Sequence, residues 1–361
     1  MCYERFVRPI LFKVDPERIH DIALFWGGVF GKFWLTRKVI RSLYYYKNEK
    51  LNISVNGINF DNPVGLAAGF DKNAALMDIL PEIGFGFEEI GSITGERCEG
   101  NPKPRIFRLP KDQALAVNYG LCNLGAEAIS KRLSNRKFRF PLGINIARAN
   151  NEDIVMDVDK GIEDYIKAYN FMKDIGDFIV INISCPNTPD KRAFSLPFNF
   201  SRLIGEFNKF KITKPCFIKL KPDYPKRELD ELIEISYKYK FITGFVISNL
   251  TKDRKGLKSS DKELENVEGS ISGMPIKERS DEIIKYVYRK TKGKKVIIGV
   301  GGIFNAEDAY RKIRNGASLV QLITGMIYKG PKIVKDINKG LVNLLEKDNF
   351  KSIKEAIGVD V

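Results

Sequence analysis

Histidine is nearly absent: among 361 residues only His20 is one. A site that needs two imidazoles, as metal ligands or as a base with a partner, is thereby excluded, and no metal centre is expected. Cysteine is sparse and scattered. Its five positions (Cys2, Cys98, Cys122, Cys185, Cys216) form no C-x-x-C pair, which argues against a disulfide framework or a zinc site and fits a reducing compartment. No stretch reaches the ~18 uninterrupted apolar residues of a membrane-crossing helix. Glu4, Arg5, Arg8 and Lys13 interrupt the apolar run that a cleavable signal would need. No basic run is interleaved with aromatics, so nucleic acid is not an expected partner. Neither a low-complexity tract nor an internal repeat is present.

What is there describes a folded chain: 43% apolar and 29% charged residues with 30 glycines supply a sizeable core, not a disordered tail. The length suits a (β/α)₈ barrel of about 250 residues with roughly a hundred left for an extension and long loops. A formal charge of +15 favours anionic partners such as phosphorylated cofactors, small carboxylates or an acidic membrane surface. It is equally what a lysine-rich solvated surface would carry.

Residues 1–50 differ from the rest. Asp15 and Pro16 read as an N-cap and first helical residue. Ile19, Ile22, Ala23, Trp26, Phe30 and Phe33 or Trp34 then recur at helical spacing, with Gly27 and Gly28 expected to break the segment into two short helices. Lys32, Arg37, Lys38 and Arg41 follow closely. Such an aromatic pair with basic flanks fits an interfacial membrane anchor, or a helical lid packed on the barrel. Next, "LNISVNGINF" alternates around Asn56-Gly57, the signature of a two-residue hairpin.

From residue 63 onward eight short apolar runs alternate with helix-compatible stretches: Val64–Ala68, Glu88–Ile93, Leu142–Ile146, Phe178–Ile183, Phe217–Leu220, Gly244–Ile247, Val296–Val300 and Leu319–Ile323. Nearly every run ends at polar residues, including Lys72, Ser92, Asn145, Asn182, Lys219, Ser248 and Thr324. A closed α/β (β/α)₈ TIM barrel gathers such strand ends on one catalytic face, whereas an open sheet would spread them along an edge.

Three segments carry chemistry. "GVGGIFNAEDA" (299–309) and "TGMIYKGP" (324–331) place glycines, Gly301 and Gly302 among them, after the last two strands, where backbone N–H groups can approach a phosphate. "NISCPNTP" (182–189) sets Cys185 between Asn182 and Asn187. A thiol there can act as base or nucleophile, and the asparagines offer donors and acceptors to an amide or imide; a structural cysteine is the plainer alternative. Lys72 and Lys219 end the first and fifth runs, facing an anion in the mouth or snorkelling to the surface.

With "FVRPILFKVDPERIH", "NPVGLAAGFDKN", "GFGFEEIGSIT", "GNPKPRIFRLP", "NISCPNTP", "IKLKPD", "IIGVGGI" and "GASLVQLITGMIYKGP" in unbroken order, the chain resembles the class 2, quinone-linked dihydroorotate dehydrogenases over nearly its whole length. The resemblance implies oxidation of dihydroorotate to orotate in de novo pyrimidine (UMP) synthesis, with FMN as cofactor and a membrane quinone as electron acceptor. By position it puts FMN contacts on Ala68, Gly69, Lys72, Ser92, Asn145, Asn182, Lys219, Ser248, Gly273, Gly301, Gly302, Ile323 and Thr324. Substrate contacts fall on Lys72, Asn118, Tyr119, Gly120, Leu121, Asn182, Asn187 and Asn249, and quinone contacts on His20 and Arg108. It divides the chain into a membrane-association and quinone-tunnel segment (1–50) and an FMN-binding barrel (51–361), held peripherally on the cytoplasmic side of a membrane. Oligomeric state stays open.

Three departures stand out. At the base position this chain has Cys185, as the soluble class 1 enzymes have cysteine, whereas class 2 typically has serine. Val117 stands where the family has a substrate asparagine, with Asn118 one position on, and Leu250 stands where a hydroxyl residue follows the last substrate asparagine. They keep two alternatives alive: an FMN oxidoreductase of the same fold acting on another cyclic substrate, or a non-catalytic flavin-binding module of the membrane surface.

Overall fold

The computed structural model describes residues 3–185 and 193–361. Near the N-terminus, α1 (Pro16–Lys32) starts where Asp15 accepts the Arg18 N–H, and α2 (Trp34–Tyr44) follows after a break at Phe33. The Gly27-Gly28 pair does not interrupt α1, contrary to the sequence expectation. A Cβ on Gly27 would lie 2.5 Å from Leu76 Cδ2 and one on Gly31 3.1 Å from Asp78 Cβ. These glycines let α1 lie flush on the loop after the first barrel strand; small size, not helix breaking, is their use.

The hairpin is as read: β1 (Ile53–Val55) and β2 (Ile58–Phe60) pair antiparallel, with Val55 opposite Ile58. Asn56 and Gly57 both have positive φ, at 51° and 81°, as a two-residue turn of matching twist demands. The barrel begins with β3 (Val64–Leu66) and β4 (Phe87–Ile93). An insertion follows, β5 (Ile106–Leu109) and β6 (Ala114–Val117), and then β7 (Leu142–Ile146), β8 (Phe178–Asn182), β9 (Cys216–Leu220) and β10 (Ile242–Ile247). A further strand, β11 (Ser270–Gly273), precedes β12 (Val296–Val300) and β13 (Leu319–Leu322). Eight parallel strands close in the order β10-β12-β13-β3-β4-β7-β8-β9, a (β/α)₈ barrel. Each expected run coincides with one of these strands, with ends differing by a residue or two.

Such strands are covered on both faces, which is why they read as continuous apolar runs; β7, β8 and β9 are buried at every residue. Towards the strand N-termini Phe87, Phe178 and Phe217 stack edge to face, with centroids 6.2 and 5.6 Å apart. Each ring lies beside a glycine on the adjacent strand (Gly65, Gly143, Gly244) where a Cβ would overlap it. Phe60 of the hairpin packs on Phe87 at 5.4 Å. The outer helices face inward with one stripe, as in Val158–Met172, which buries Ile162, Tyr165, Ala168, Tyr169 and Met172.

β11, β6 and β5 form a separate three-stranded antiparallel sheet. It was not legible in the sequence, because β11 joins its partner across some 150 residues of chain with no local signal.

Candidate active site

At the barrel axis the completely buried Glu89 of β4 accepts three side chains from three other strands. Lys219 Nζ lies 3.0 Å and Asn145 Nδ2 2.6 Å from Oε1, and Gln321 Nε2 lies 2.8 Å from Oε2. Lys219 is therefore a buried, paired cation, not a snorkelling one. Neither Glu89 nor Gln321 was singled out in the sequence; the adjacent carboxylates in "FEEIG" were the available signal, since ionised groups are rarely buried unless paired.

Above this layer the strand ends interlock. Asn182 Nδ2 donates to Ser92 Oγ at 2.9 Å, Asn249 Nδ2 to Asn182 Oδ1 at 3.3 Å and to the Ser184 carbonyl at 3.1 Å, and Ser184 Oγ to the Lys219 carbonyl at 2.8 Å. Cys185 follows directly, half-buried on the wall of a cavity of about 700 Å³ that also reaches Lys72, Ser92, Asn182, Lys219 and Asn249. Asn187 lies outside the described residues.

A smaller pocket opens beside this one, lined by Lys219, Ser248, Gly273, Gly301, Gly302 and Gln321, with Ala68, Ile323 and Thr324 also on its wall. Gly301 and Gly302 have φ of 113° and 68°, backbone that side-chain-bearing residues rarely adopt. Ser272 and Thr324 hydroxyls meet at 2.9 Å across it. Among the described residues three buried oxygens have no hydrogen-bond partner: Gln321 Oε1 and Ser248 Oγ of this pocket's lining, and Asn145 Oδ1 of the Glu89 cluster. Orphaned acceptors at that depth are unfavourable unless a ligand satisfies them.

The larger cavity continues outward beneath α1 and α2, past Gly69, Tyr119, His20, Phe30 and Leu43. His20 Nε2 is 2.7 Å from the Phe70 carbonyl and its Nδ1 3.1 Å from the Tyr119 hydroxyl. Burial, reinforced by the charge of Lys72, lowers the His20 pKa to about 3. Lys72 lies with Nζ 3.5 Å from the Tyr119 ring centroid, and burial in the cavity, with Arg105 adding to it, lowers its pKa to about 8. Arg108 reaches the Val14 carbonyl at 2.6 Å and covers the Phe12 ring at 4.6 Å. The lid is clasped again where buried Glu17 of α1 pairs with Arg105, and with Lys103 at 3.3 Å. Arg105 lies within "GNPKPRIFRLP" but is not among the residues singled out from it, since nothing local marks it as the partner of Glu17.

Val117, Tyr119, Gly120, Leu121 and Leu250 line the cavity; Asn118 does not. Its amide is taken up by Glu268 Oε2 at 2.9 Å and by Asn101 Nδ2 at 2.8 Å. The remaining sequence-picked positions line one or both of the two cavities, apart from Asn187 and from Asn145, whose amide is held by Glu89 behind them. Among the described residues no metal-ligating cluster occurs and no helix is long and apolar enough to cross a membrane.

Comparisons with known proteins agree with this architecture. The family model described as dihydroorotate dehydrogenase matches residues 50–345. A protein of Nostoc punctiforme named dihydroorotate dehydrogenase (quinone) is 38% identical, over 99% of this chain and 98% of its own. One of the same name from Natronomonas pharaonis is also 38% identical, over 99% of both chains. The crystal structure of the Eimeria tenella enzyme in complex with ferulenol superimposes with a TM-score of 0.81 at 31% identity, covering 96% of each chain. With its closed barrel, its helical N-terminal extension and matches along nearly its full length, the chain belongs to the dihydroorotate dehydrogenase family, in the quinone-linked class.

Proposed function

We propose that this chain oxidises dihydroorotate to orotate, with FMN as resident cofactor and a membrane quinone as electron acceptor, and so serves pyrimidine biosynthesis. The observation that carries the reading is the continuity of one cavity from Cys185 and Lys219 at the strand ends to the underside of the exposed N-terminal helices. The names of the full-length relatives support the same reaction.

The residues present fit FMN. Orphaned Asn145 Oδ1, Gln321 Oε1 and Ser248 Oγ call for a polar ring, and the positive-φ Gly301-Gly302 turn beside Gly273 and Thr324 suits a phosphate. Ala68, Gly69, Lys72, Ser92, Asn145, Asn182, Lys219 and Ser248 would hold the ring side, and Gly273, Gly301, Gly302, Ile323 and Thr324 the phosphate side. When bound, FMN supplies acceptance of a hydride from the substrate and delivery of the electrons to the quinone.

The chain's own groups do the rest. Cys185 Sγ removes the substrate's ring C–H proton; a thiolate is more accessible than an alkoxide near neutrality, so cysteine serves where relatives of this class use serine. Asn182 and Asn249, with Asn187, hydrogen-bond the amide and imide groups of the substrate, and Lys72 holds its carboxylate. The enclosing walls, Tyr119, Gly120 and Leu121 among them, exclude water. His20 and Arg108 face the quinone.

Residues 1–50 form the membrane-association and tunnel segment and 51–361 the catalytic barrel. Phe25, Trp26, Phe33, Trp34 and Leu35 are each at least half exposed, next to exposed Lys32 and Lys38. This pattern supports peripheral attachment to an anionic surface, here the cytoplasmic side.

A second reading rests on Val117 and Leu250 lining the cavity while Asn118 is engaged elsewhere: an oxidoreductase of this fold acting on a less polar ring. Steady-state turnover with dihydroorotate and a quinone analogue decides. Enzymatic rates abolished in Cys185→Ala uphold the first reading. Bound flavin that dihydroorotate never bleaches supports the second, and flavin that neither substrate nor quinone can reduce or reoxidise leaves only a non-catalytic module.

A further inference from the structure

Glu89 and Gln321 belong to none of the sets above, yet they govern how the ring side of the cofactor site presents itself. Glu89 is completely buried on β4, and its carboxylate can only accept. Each amide that meets it must therefore turn its NH₂ inward, as Asn145 does at 2.6 Å and Gln321 at 2.8 Å. That choice leaves Asn145 Oδ1 and Gln321 Oε1 facing away from the carboxylate with no partner among the described residues. Gln321 is 0% exposed to solvent, and it lines the same pocket as Lys219 and Ser248. A group that fills this pocket meets one fixed acceptor in Gln321 and one fixed cation in Lys219, which the same carboxylate holds at 3.0 Å.

We infer that Gln321 is a cofactor-binding residue whose carbonyl oxygen accepts the ring imide N–H of FMN, and that Glu89 is the positioning residue that sets the amide orientation and holds Lys219 in place. The inference rests on the FMN reading and adds an acceptor to it. An imide presents a single N–H between two carbonyl oxygens, so an acceptor locked beside a cationic donor complements its pattern. Without Glu89 the Gln321 amide is free to reverse and offer NH₂ where an acceptor is wanted.

The test is competition between FMN and N3-methyl-FMN for the full-length protein, read by the fluorescence of flavin released on ultrafiltration. Wild type should prefer FMN by roughly tenfold or more, the range of a buried hydrogen bond left unmade. Gln321→Ala, which removes the acceptor and makes room for the methyl group, should bind the two flavins nearly equally. Glu89→Gln should release FMN more readily and move its midpoint potential to more positive values, because Lys219 loses its counter-charge while the shape is kept. If Glu89→Gln does not fold, the Gln321→Ala arm decides alone. An unchanged preference for FMN in Gln321→Ala, or no preference in wild type, overturns the inference while leaving the cofactor reading intact. Wild-type protein that binds neither flavin overturns the cofactor reading itself.

Discussion

The hydroxyl of Tyr119 and the imidazole of His20 are held 3.1 Å apart in one defined proton arrangement. The Phe70 carbonyl, 2.7 Å from Nε2, can only accept, so Nε2 carries the proton and Nδ1 accepts from Tyr119. A second proton on His20 would reverse the Tyr119 bond, place a charge in a buried site and face the charge of Lys72, consistent with a pKa near 3. The sole histidine thus stands as a neutral post between the substrate chamber and the outer tunnel.

Acid stability should report this directly. His20 has a folded-state pKa of about 3 against an ordinary value of 6.5, so between these limits the unfolded chain binds the extra proton. The stabilisation is complete above pH 6.5 and is lost as pH falls towards 3. His20→Asn should flatten the unfolding free energy against pH in that window by up to about 1.4 kcal/mol per pH unit. Parallel wild-type and variant curves would refute the assignment.

Lys72 should set the alkaline limb of catalysis. With its pKa lowered to about 8, it loses its charge just above neutrality, and an anionic substrate loses its partner. We expect kcat/KM for dihydroorotate to fall about tenfold per pH unit above ~8, mostly through KM. Lys72→Arg, charged throughout, should be slower and lack this break. A wild-type profile flat to pH 10 would show that Lys72 does not hold the carboxylate.

The exposed aromatics make a separable prediction. Phe25 and Trp34 are 64% and 67% exposed, so replacing both with serine should leave melting temperature within a degree or two. Partitioning to vesicles of anionic phospholipid should weaken by roughly tenfold or more, as loss of that much apolar contact implies. Flavin reduction by dihydroorotate should be unchanged, whereas turnover with long-tailed quinone in vesicles should drop. Equal loss in both half-reactions would contradict the division of labour between the extension and the barrel.

Glu88, next to Glu89 but facing the other side of β4, is a stability liability. Both its carboxylate oxygens are buried without a hydrogen-bond partner among the described residues, and burial raises its pKa well above the carboxylate norm. The folded state therefore holds a proton that the unfolded chain releases above about pH 4.5, and stability is lost as pH rises from there towards the raised value. Glu88→Val, of nearly equal volume, should stabilise the protein by about 1–3 kcal/mol at pH 7 and by less at pH 4.5. Thermal melts that show no gain at pH 7 would count against it.

Alternation and burial have local signatures, and so the barrel was written plainly in the chain. β7 and β12 occupy the ranges that continuous apolar runs indicate, and Asn56-Gly57 dictates its turn by backbone preference alone. The polar strand ends Lys72, Asn182, Lys219 and Asn249 were identifiable for the same reason: a barrel forces every strand end to one face.

Relations between distant segments were decided only by the folded chain. Gly27 and Gly28 look like breakers until Leu76 and Ala75 are seen against them, and Asn118 looks available for a ligand until Glu268 and Asn101 claim its amide. Glu89 needs Asn145, Lys219 and Gln321 from three other strands to become an organising group. Propensity and periodicity act between neighbours in sequence, whereas a hydrogen bond or a close packing contact acts between neighbours in space, and closure of the barrel is what turns one into the other.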